Sequence, residues 1–473
     1  MLYENNKVSE IKIAYIGGGS RGWAWGLMSD LVSCDDINGD VYLYDIDLEA
    51  AQHNEIIGNK YNSAKGAKSV WHYHAVETID DALSGADFVV LSILPGTFDE
   101  MQSDVHAPEK YGIYQSVGDT SGPGGILRAM RTVPMYEFFG RKIKELCPKA
   151  WVINYTNPMT LCVKTLYRVF PKIRAFGCCH EVFGTQKFLV RMVEEMFDVK
   201  GVERQEIKVN PVAVNHFTWL TAATYRNIDL FPYYKKFCEK YVKTGYISGD
   251  ANVDNNWMNN SFASADKVKM DLFLKFGYIA AAGDRHLAEF CEGSWYLENP
   301  DRVKEMCFGL TTVDWRKEDL KKRLEKSARL RSGEEEISID LTGEEGVSQI
   351  RALLGLCELV TNVNIPNQGQ IPNLPIGAVV ETNAVFRANS LTPVHAGPIP
   401  SEIYPLVSRI CKEQELVSEG IAERDLNKIF CAFANDPLVT CSEEDARKLF
   451  VEMCENTKEY LGMYDFKSYV ALI

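Results

Sequence analysis

Several things are scarce or missing in this 473-residue chain. Positive charge is in deficit: 51 Lys and Arg stand against 65 Asp and Glu, a net charge of -14. With no basic surplus to neutralise phosphates, a nucleic-acid partner is not expected, and neither is an anionic membrane surface. No stretch reaches the roughly 20 apolar residues of a spanning helix. The opening MLYENNKVSE has neither the basic nor the apolar region of a secretory signal, so a cytoplasmic protein is expected. The thirteen cysteines are odd in number and none forms a C-x-x-C pair, which argues against a zinc ribbon or a disulfide framework. They suit small buried hydrophobes in a reducing compartment. Repeats and low-complexity linkers are also missing, so two regions are expected to pack directly, without a tether.

What is present begins with alternation. Apolar runs at 11–16, 41–47, 88–94, 151–155 and 173–178 read as strands separated by helical patterns, the first of them 23–33. Such alternation implies crossover units and a parallel, doubly wound sheet, in which ligands gather at the carboxyl ends of the strands. After about residue 200 the pattern changes. Residues 207–226 read as strands with a turn at Asn210-Pro211, and 229–330 mostly as helices. A charged loop around one short strand is expected at 334–346, a helix at 352–360, a strand at 378–386, and helices over the last 75 residues. The predicted fold is therefore α/β: a Rossmann-type sheet in a domain at 1–200, followed by an α+β domain at 201–473.

Gly17, Gly19 and Gly22 satisfy G-x-G-x-x-G. With 34 glycines in the chain, chance makes such matches easily. The context adds weight: the loop Gly17-Gly18-Gly19-Ser20 follows an apolar strand, opens a helix, and the next strand ends in Asp45. Glycines let the backbone approach a pyrophosphate at a helix N-terminus, and Asp45 can accept from ribose hydroxyls while repelling a 2′-phosphate. NAD is the expected cofactor.

Polar residues cluster after several strands. Cys179 and His216 can be ligands of one divalent ion, or a buried thiol and a core histidine. Asp119 and Asp284 can be an acid and a base whose roles are split by environment, or turn residues, since each follows a glycine. Asn154 and Asn157 can bind a sugar hydroxyl or the nicotinamide, or shape the turn before Pro158.

Taken together, IGGGS (16–20), GDTSGPGGILRAMRTVP (118–134), NYTNPM (154–159), C-H-E-V (179–182), VNH (214–216) and GDRHLAEF (283–290) resemble glycoside hydrolase family 4, the NAD- and metal-dependent glycosidases with a lactate/malate dehydrogenase-like fold. The resemblance implies that Cys179 and His216 hold a divalent metal, usually Mn2+. It implies that Asn157 binds substrate, that Asp119 protonates the leaving oxygen and that Asp284 removes the C2 proton. Asn154, His180, Arg285 and His286 are further candidates for sugar contacts. The implied reaction is oxidation at C3, elimination, addition of water and reduction, with no net redox change. C-H-E-V is similar to the motif of α-galacturonidases, so a small uronate glycoside or oligosaccharide is the expected substrate. Arg128, Arg131, Arg285 and His286 are candidates for its carboxylate. Glu181 is expected to bind a hydroxyl or to orient His180. Family members are usually dimers or tetramers, and a homo-oligomer is expected. The alternatives are a neutral-sugar α-galactosidase or α-glucosidase of the same family, a malate/lactate-type dehydrogenase, and a non-catalytic NAD sensor.

Overall fold

The computed structural model describes residues 1–246, 264–466 and 469. In chain order the strands are β1 (Leu2–Glu4), β2 (Lys7–Ile16), β3 (Ile37–Tyr44), β4 (Trp71–Val76), β5 (Phe88–Leu91), β6 (Trp151–Asn154), β7 (Arg174–Gly177), β8 (Ile207–Val214), β9 (Phe217–Tyr225), β10 (Ile228–Asp229), β11 (Ile279–Ala280), β12 (Leu359–Pro366), β13 (Val379–Arg387) and β14 (Ser390–Pro393). They form a ten-stranded sheet in the order β14-β13-β12-β7-β6-β5-β2-β3-β4, with β1 on β2, and a four-stranded sheet around β9.

The six strands from β2 to β7 that make the centre of the large sheet are parallel. Their side chains alternate between two cores, as a period of two requires. Ile13, Tyr15, Val90 and Ile153 pack on Trp25, Met28 and Leu31. Ala14, Ile16, Val89 and Val152 pack on Tyr136, Phe139, Ile143 and Leu166 from the helices Gly122–Leu146 and Met159–Val169. Burial on both faces is why these strands read as unbroken apolar runs. Strand order reverses at the β2–β5 boundary, and there the carboxyl ends open a crevice.

The structure differs from the expectation in several places. The helix expected at 352–360 stops at Leu353, and Gly355, at φ +83, turns the chain into β12. That strand was hidden because Asn362 and Asn364, at 3% and 0% exposure, occupy core positions. β12 to β14 then extend the large sheet antiparallel from β7, so the sheet crosses the boundary expected at 200/201. The turn expected at Asn210-Pro211 is a bulge within β8, where the ladder shifts register at the residue that has no N–H to give. No strand forms at 334–346. β1 and β4 were missed. In β4, buried Trp71 and Tyr73 alternate with His72 and His74, a pattern carried by aromatics rather than aliphatics.

The helical expectation holds for 229–330 in Phe231–Tyr241, Lys267–Phe276 and Val313–Ser332, and near the carboxyl end in Tyr404–Glu423, Leu426–Asn435 and Glu443–Asn456. The parts of those expectations that fall on 247–263, 467–468 and 470–473 lie outside the described residues. All thirteen cysteines are free. Among the described residues no helix is long and apolar enough to cross a membrane.

Candidate active site

Two sites meet at the carboxyl ends of the parallel strands. The first is the glycine loop after β2. Gly17 sits at φ +93, and a Cβ there would fall 2.0 Å from the Ser92 carbonyl oxygen. A Cβ on Gly19 would fall 2.9 Å from Asp45 Oδ2. The loop therefore has room only for backbone. Asp45 braces it: Oδ2 accepts from the Gly19 N–H at 2.9 Å and Oδ1 from the Asp47 N–H at 3.0 Å. Ser20 closes the turn by donating its N–H to the Gly17 carbonyl at 3.0 Å. Asn54, which sequence reasoning missed, donates from Nδ2 to the Gly18 and Ser20 carbonyls and accepts from Trp25 Nε1. A cavity of about 660 Å³ adjoins the loop and is lined by Gly22, Trp23, Tyr155, Arg316, Arg323 and Glu344, among others.

The second site is assembled from four separate segments. Asp119 lies just before the helix Gly122–Leu146, and Asn157 lies after β6. His216 is at the tip of the β8–β9 hairpin, and His286 is in the short helix Asp284–Glu289. One donor atom each of Asp119, His216 and His286 lies within 4.8 Å of the others. The His216 and His286 rings are 4.1 Å apart. His216 is held at φ +63, a left-handed conformation that costs a non-glycine residue about 1 kcal/mol and tends to mark function.

Hydrogen bonds fix the protonation pattern. The Thr120 hydroxyl donates its single proton to Asp119 Oδ1 at 2.7 Å, so it can only accept from His216 Nδ1 at 3.0 Å. His216 Nε2 therefore keeps its lone pair. Burial, then neighbouring His286, push the His216 pKa down to about 3, which keeps the ring neutral. Burial alone would raise the Asp119 carboxyl, but Arg128, His286, His216 and Arg316 outweigh it and hold it well below the usual range. Asn157 Nδ2 donates to Asp119 Oδ2 at 3.4 Å, and its carbonyl accepts from Arg128 Nε at 3.1 Å.

Glu181 accepts from the Gly283 N–H at 2.6 Å and lies 3.6 Å from both His180 and His286. Burial would raise its carboxyl, but His286, His180 and His216 bring it down to about 2. His180 is half exposed, 3.2 Å from Glu344, with Trp23 beside its ring. Glu289, also missed, accepts from the Val117 and Gly118 N–H groups, clamping the strand of chain just before Asp119. Burial pushes its carboxyl up to about 8.

Other expected residues lie elsewhere. The Asp284 carboxylate is fully buried and accepts from the Val268 and Lys269 N–H groups, at 3.2 and 3.0 Å, at the start of the helix Lys267–Phe276. The reason is helical geometry. Residues i and i+2 point to roughly opposite sides, so with His286 facing His216, Asp284 faces away. Asn154 is 0% exposed, and its side chain accepts from the Tyr136 hydroxyl and bonds the Thr156 backbone. It shapes the turn after β6.

Arg131 is committed to Asp104 in an ion pair whose side chains are both 1% exposed. The Cys179 thiol is outside the three-residue cluster. Burial, then Glu381 and Glu181, push it well above its ordinary pKa, while the Glu181 N–H and the Asn215 side chain favour the thiolate. Glu381 accepts from Thr218 and Asn362, whose Nδ2 also reaches the Cys179 carbonyl. Asn362, one of the two polar residues that concealed β12, thus ties the Cys179 backbone to Glu381.

Comparison with known proteins shows the family. Residues 12–195 match the model of the family 4 glycosyl hydrolases, and residues 212–439 match the model of their C-terminal domain. The chain is a family 4 glycosyl hydrolase. This glycosyl hydrolase is 61% identical over 468 residues to an alpha-galacturonidase of Thermoanaerobacterium saccharolyticum, covering 99% of this chain and 100% of the relative. The crystal structure of lplD from Bacillus subtilis superposes with a TM-score of 0.89 at 49% identity, covering 94% of this chain and 100% of that one. A 6-phospho-alpha-glucosidase from gut microorganisms, solved in complex with NAD and Mn2+, shares the fold at a TM-score of 0.78 and 21% identity, over 95% and 99% of the two chains. The Rossmann-type, dehydrogenase-like glycosidase fold expected from the sequence is the fold of this enzyme.

Proposed function

We propose that this glycosyl hydrolase cleaves α-linked galacturonic acid from a small glycoside or oligosaccharide, with NAD in the glycine-loop crevice and a divalent cation, manganese by preference, at the His216 centre. The observation that carries this reading is the gathering of three guanidinium groups around Asp119. Arg128, anchored on the Asn157 carbonyl, and Arg316, anchored on the Val117 carbonyl, hold its carboxyl down, and Arg285 answers Glu181 first and Asp119 after it. Such a centre suits an anionic sugar better than a neutral one. The 61% identity to an alpha-galacturonidase along the whole chain supports the same substrate.

The residues fit both groups. Gly17, Gly18, Gly19 and Ser20 form a backbone cradle at a helix start, which suits a diphosphate, and Asp45 retains lone pairs for a ribose diol. For the cation, His216 offers a neutral imidazole whose tautomer is set by Thr120. Cys179, the second ligand implied by the family resemblance, and the pair Asp119 and His286 complete the donor sets. Loss of Mn2+ binding in C179S or in H286N, read by calorimetry, separates the two. When bound, NAD supplies a reversible hydride acceptor and the cation a Lewis acid that acidifies the neighbouring sugar carbon.

The chain's own residues then bind, orient and move protons. Asp119 is the carboxylate that exchanges a proton with the sugar, and Asn157 holds it in place. Arg128 fixes Asn157 through its carbonyl, and Thr120 links Asp119 to His216. The base role that the resemblance gives Asp284 is not supported by its position, so Asp284 is read as a helix cap. His180, with Trp23 against its ring, is a further candidate for a sugar contact. The thirteen free thiols suit a reducing cytoplasm, and a homodimer or homotetramer is the expected assembly, which sedimentation would reveal.

The test is nitrophenol release from p-nitrophenyl α-galacturonide, with the α-galactoside and α-glucoside in parallel and NAD+, Mn2+ and a thiol reductant present. Release from the uronide that stops when NAD+ or the cation is withheld supports the whole reading. Release from a neutral glycoside alone overturns the uronate.

A further inference from the structure

We propose that Arg316 is the specificity-determining residue that takes the carboxylate of the substrate, an inference that rests on the galacturonide reading above. The other arginines of the centre have assignments that compete with this role. Arg131 is neutralised by Asp104, with Nη1 3.1 Å from Oδ1 and both side chains sealed from solvent. Arg128, 7% exposed, holds the Asn157 carbonyl through Nε and faces Asp119. Arg285 donates through Nη1 to the Thr311 hydroxyl.

Arg316 is different in three respects. It stands in the first turn of the helix Val313–Ser332, and its Nη2 is anchored 3.1 Å from the Val117 carbonyl, two residues before Asp119. Its Nε is buried and has no acceptor. A buried donor without a partner costs about 1–3 kcal/mol unless something completes it. Arg316 also lines the cavity of about 660 Å³ that continues past Trp23 and Gly22 to the glycine loop. It therefore stands where the NAD crevice meets the chain segment that carries Asp119, the junction at which a sugar held at that centre faces the cofactor. A planar guanidinium anchored at one nitrogen and unfilled at another matches a carboxylate, and a neutral CH2OH would leave that charge unanswered.

Sequence reasoning could not select Arg316. It lies in WRKEDLKKRLEK, where basic residues abound and the helical pattern reads as a solvated face. Only the packing of that helix start against the Val117 loop turns one of those cations inward.

The experiment compares the intact enzyme with R316Q and R316K, all loaded with NAD+ and Mn2+. Calorimetry measures binding of galacturonate and of galactose, and release of nitrophenol from the α-galacturonide gives KM and kcat. Galacturonate should bind R316Q about tenfold to a hundredfold more weakly, with KM for the uronide rising in step. Galactose and NAD+ binding should stay within about twofold, and R316K, with charge but no planar fork, should fall between. Equal weakening of both sugars, loss of NAD+ binding, or unchanged galacturonate binding would each overturn the proposal. If the unaltered enzyme does not cleave the uronide, the galacturonide reading itself fails. If it does and R316Q matches it, only the assignment of Arg316 fails.

Discussion

Gly118-Asp119 and Gly283-Asp284 are the same dipeptide at the edge of a helix, and both carry a carboxylate inward, yet their surroundings are opposite. Asp119 is ringed by Arg128, His286, His216 and Arg316, which keep it ionised, and its partners are side chains from other segments. Asp284 is sealed at 0% exposure, and burial together with Asp266 pushes its carboxyl up. Its partners are the backbone N–H groups of one neighbouring helix. The first arrangement holds charge where a ligand can use it, and the second satisfies helix-end donors. A glycine-aspartate turn does not carry its role in its sequence; the role comes from which face of the following helix points to the centre.

The largest expected effect breaks or confirms this contrast. D119N should lower kcat for the α-galacturonide by about a thousandfold or more, whereas D284N should stay within about tenfold. A D284N loss as deep as that of D119N would make Asp284 a chemical group and reverse the reading. G17A sharpens the same contrast from the cofactor side. A Cβ 2.0 Å from the Ser92 oxygen and a positive φ should weaken NAD binding about tenfold to a hundredfold by calorimetry, while D119N leaves NAD binding intact.

The two carboxylates should also diverge with pH. The Asp284 pKa is raised in the folded state, so above about pH 4 the unfolded chain releases a proton that the fold retains, and stability from this group falls as pH rises. The Asp119 pKa is depressed, so its contribution is present above about pH 4 and is lost on acidification. Melting temperatures across pH should therefore show D284N gaining on the unaltered enzyme as pH rises from about 4 to about 6, and D119N losing ground only as pH rises toward about 4, with parallel profiles above it. A third carboxyl, Glu289, extends the comparison. Raised to about 8, it should erode stability from about pH 4.5 to pH 8, and E289Q, which keeps an acceptor for Val117 and Gly118, should flatten that fall. An E289Q profile parallel to that of the unaltered enzyme would show that Glu289 is already ionised in the fold.

Local chemistry made much of this protein legible. The strands β2, β3, β5, β6 and β7 were readable because burial on both faces leaves an apolar run that no helix of that length would show. The glycine loop was readable because a turn that admits no Cβ has no substitute for glycine. β12 was not readable, since its buried Asn362 answers Glu381 on the next strand and the Cys179 carbonyl far away in the chain, partners that appear only once the sheet is formed.

The sequence by itself determined the α/β order, the glycine cradle with Asp45, and the set of residue types from which the centre is built. Tertiary structure alone decided which members of that set meet. It turned His286 inward and Asp284 away, tied Arg131 to Asp104, and brought Arg316 to the Val117 loop from nearly 200 positions along the chain. The physical reason is that periodicity records which face of an element is buried, while a convergent polar site depends on the relative placement of several elements, which no local pattern encodes.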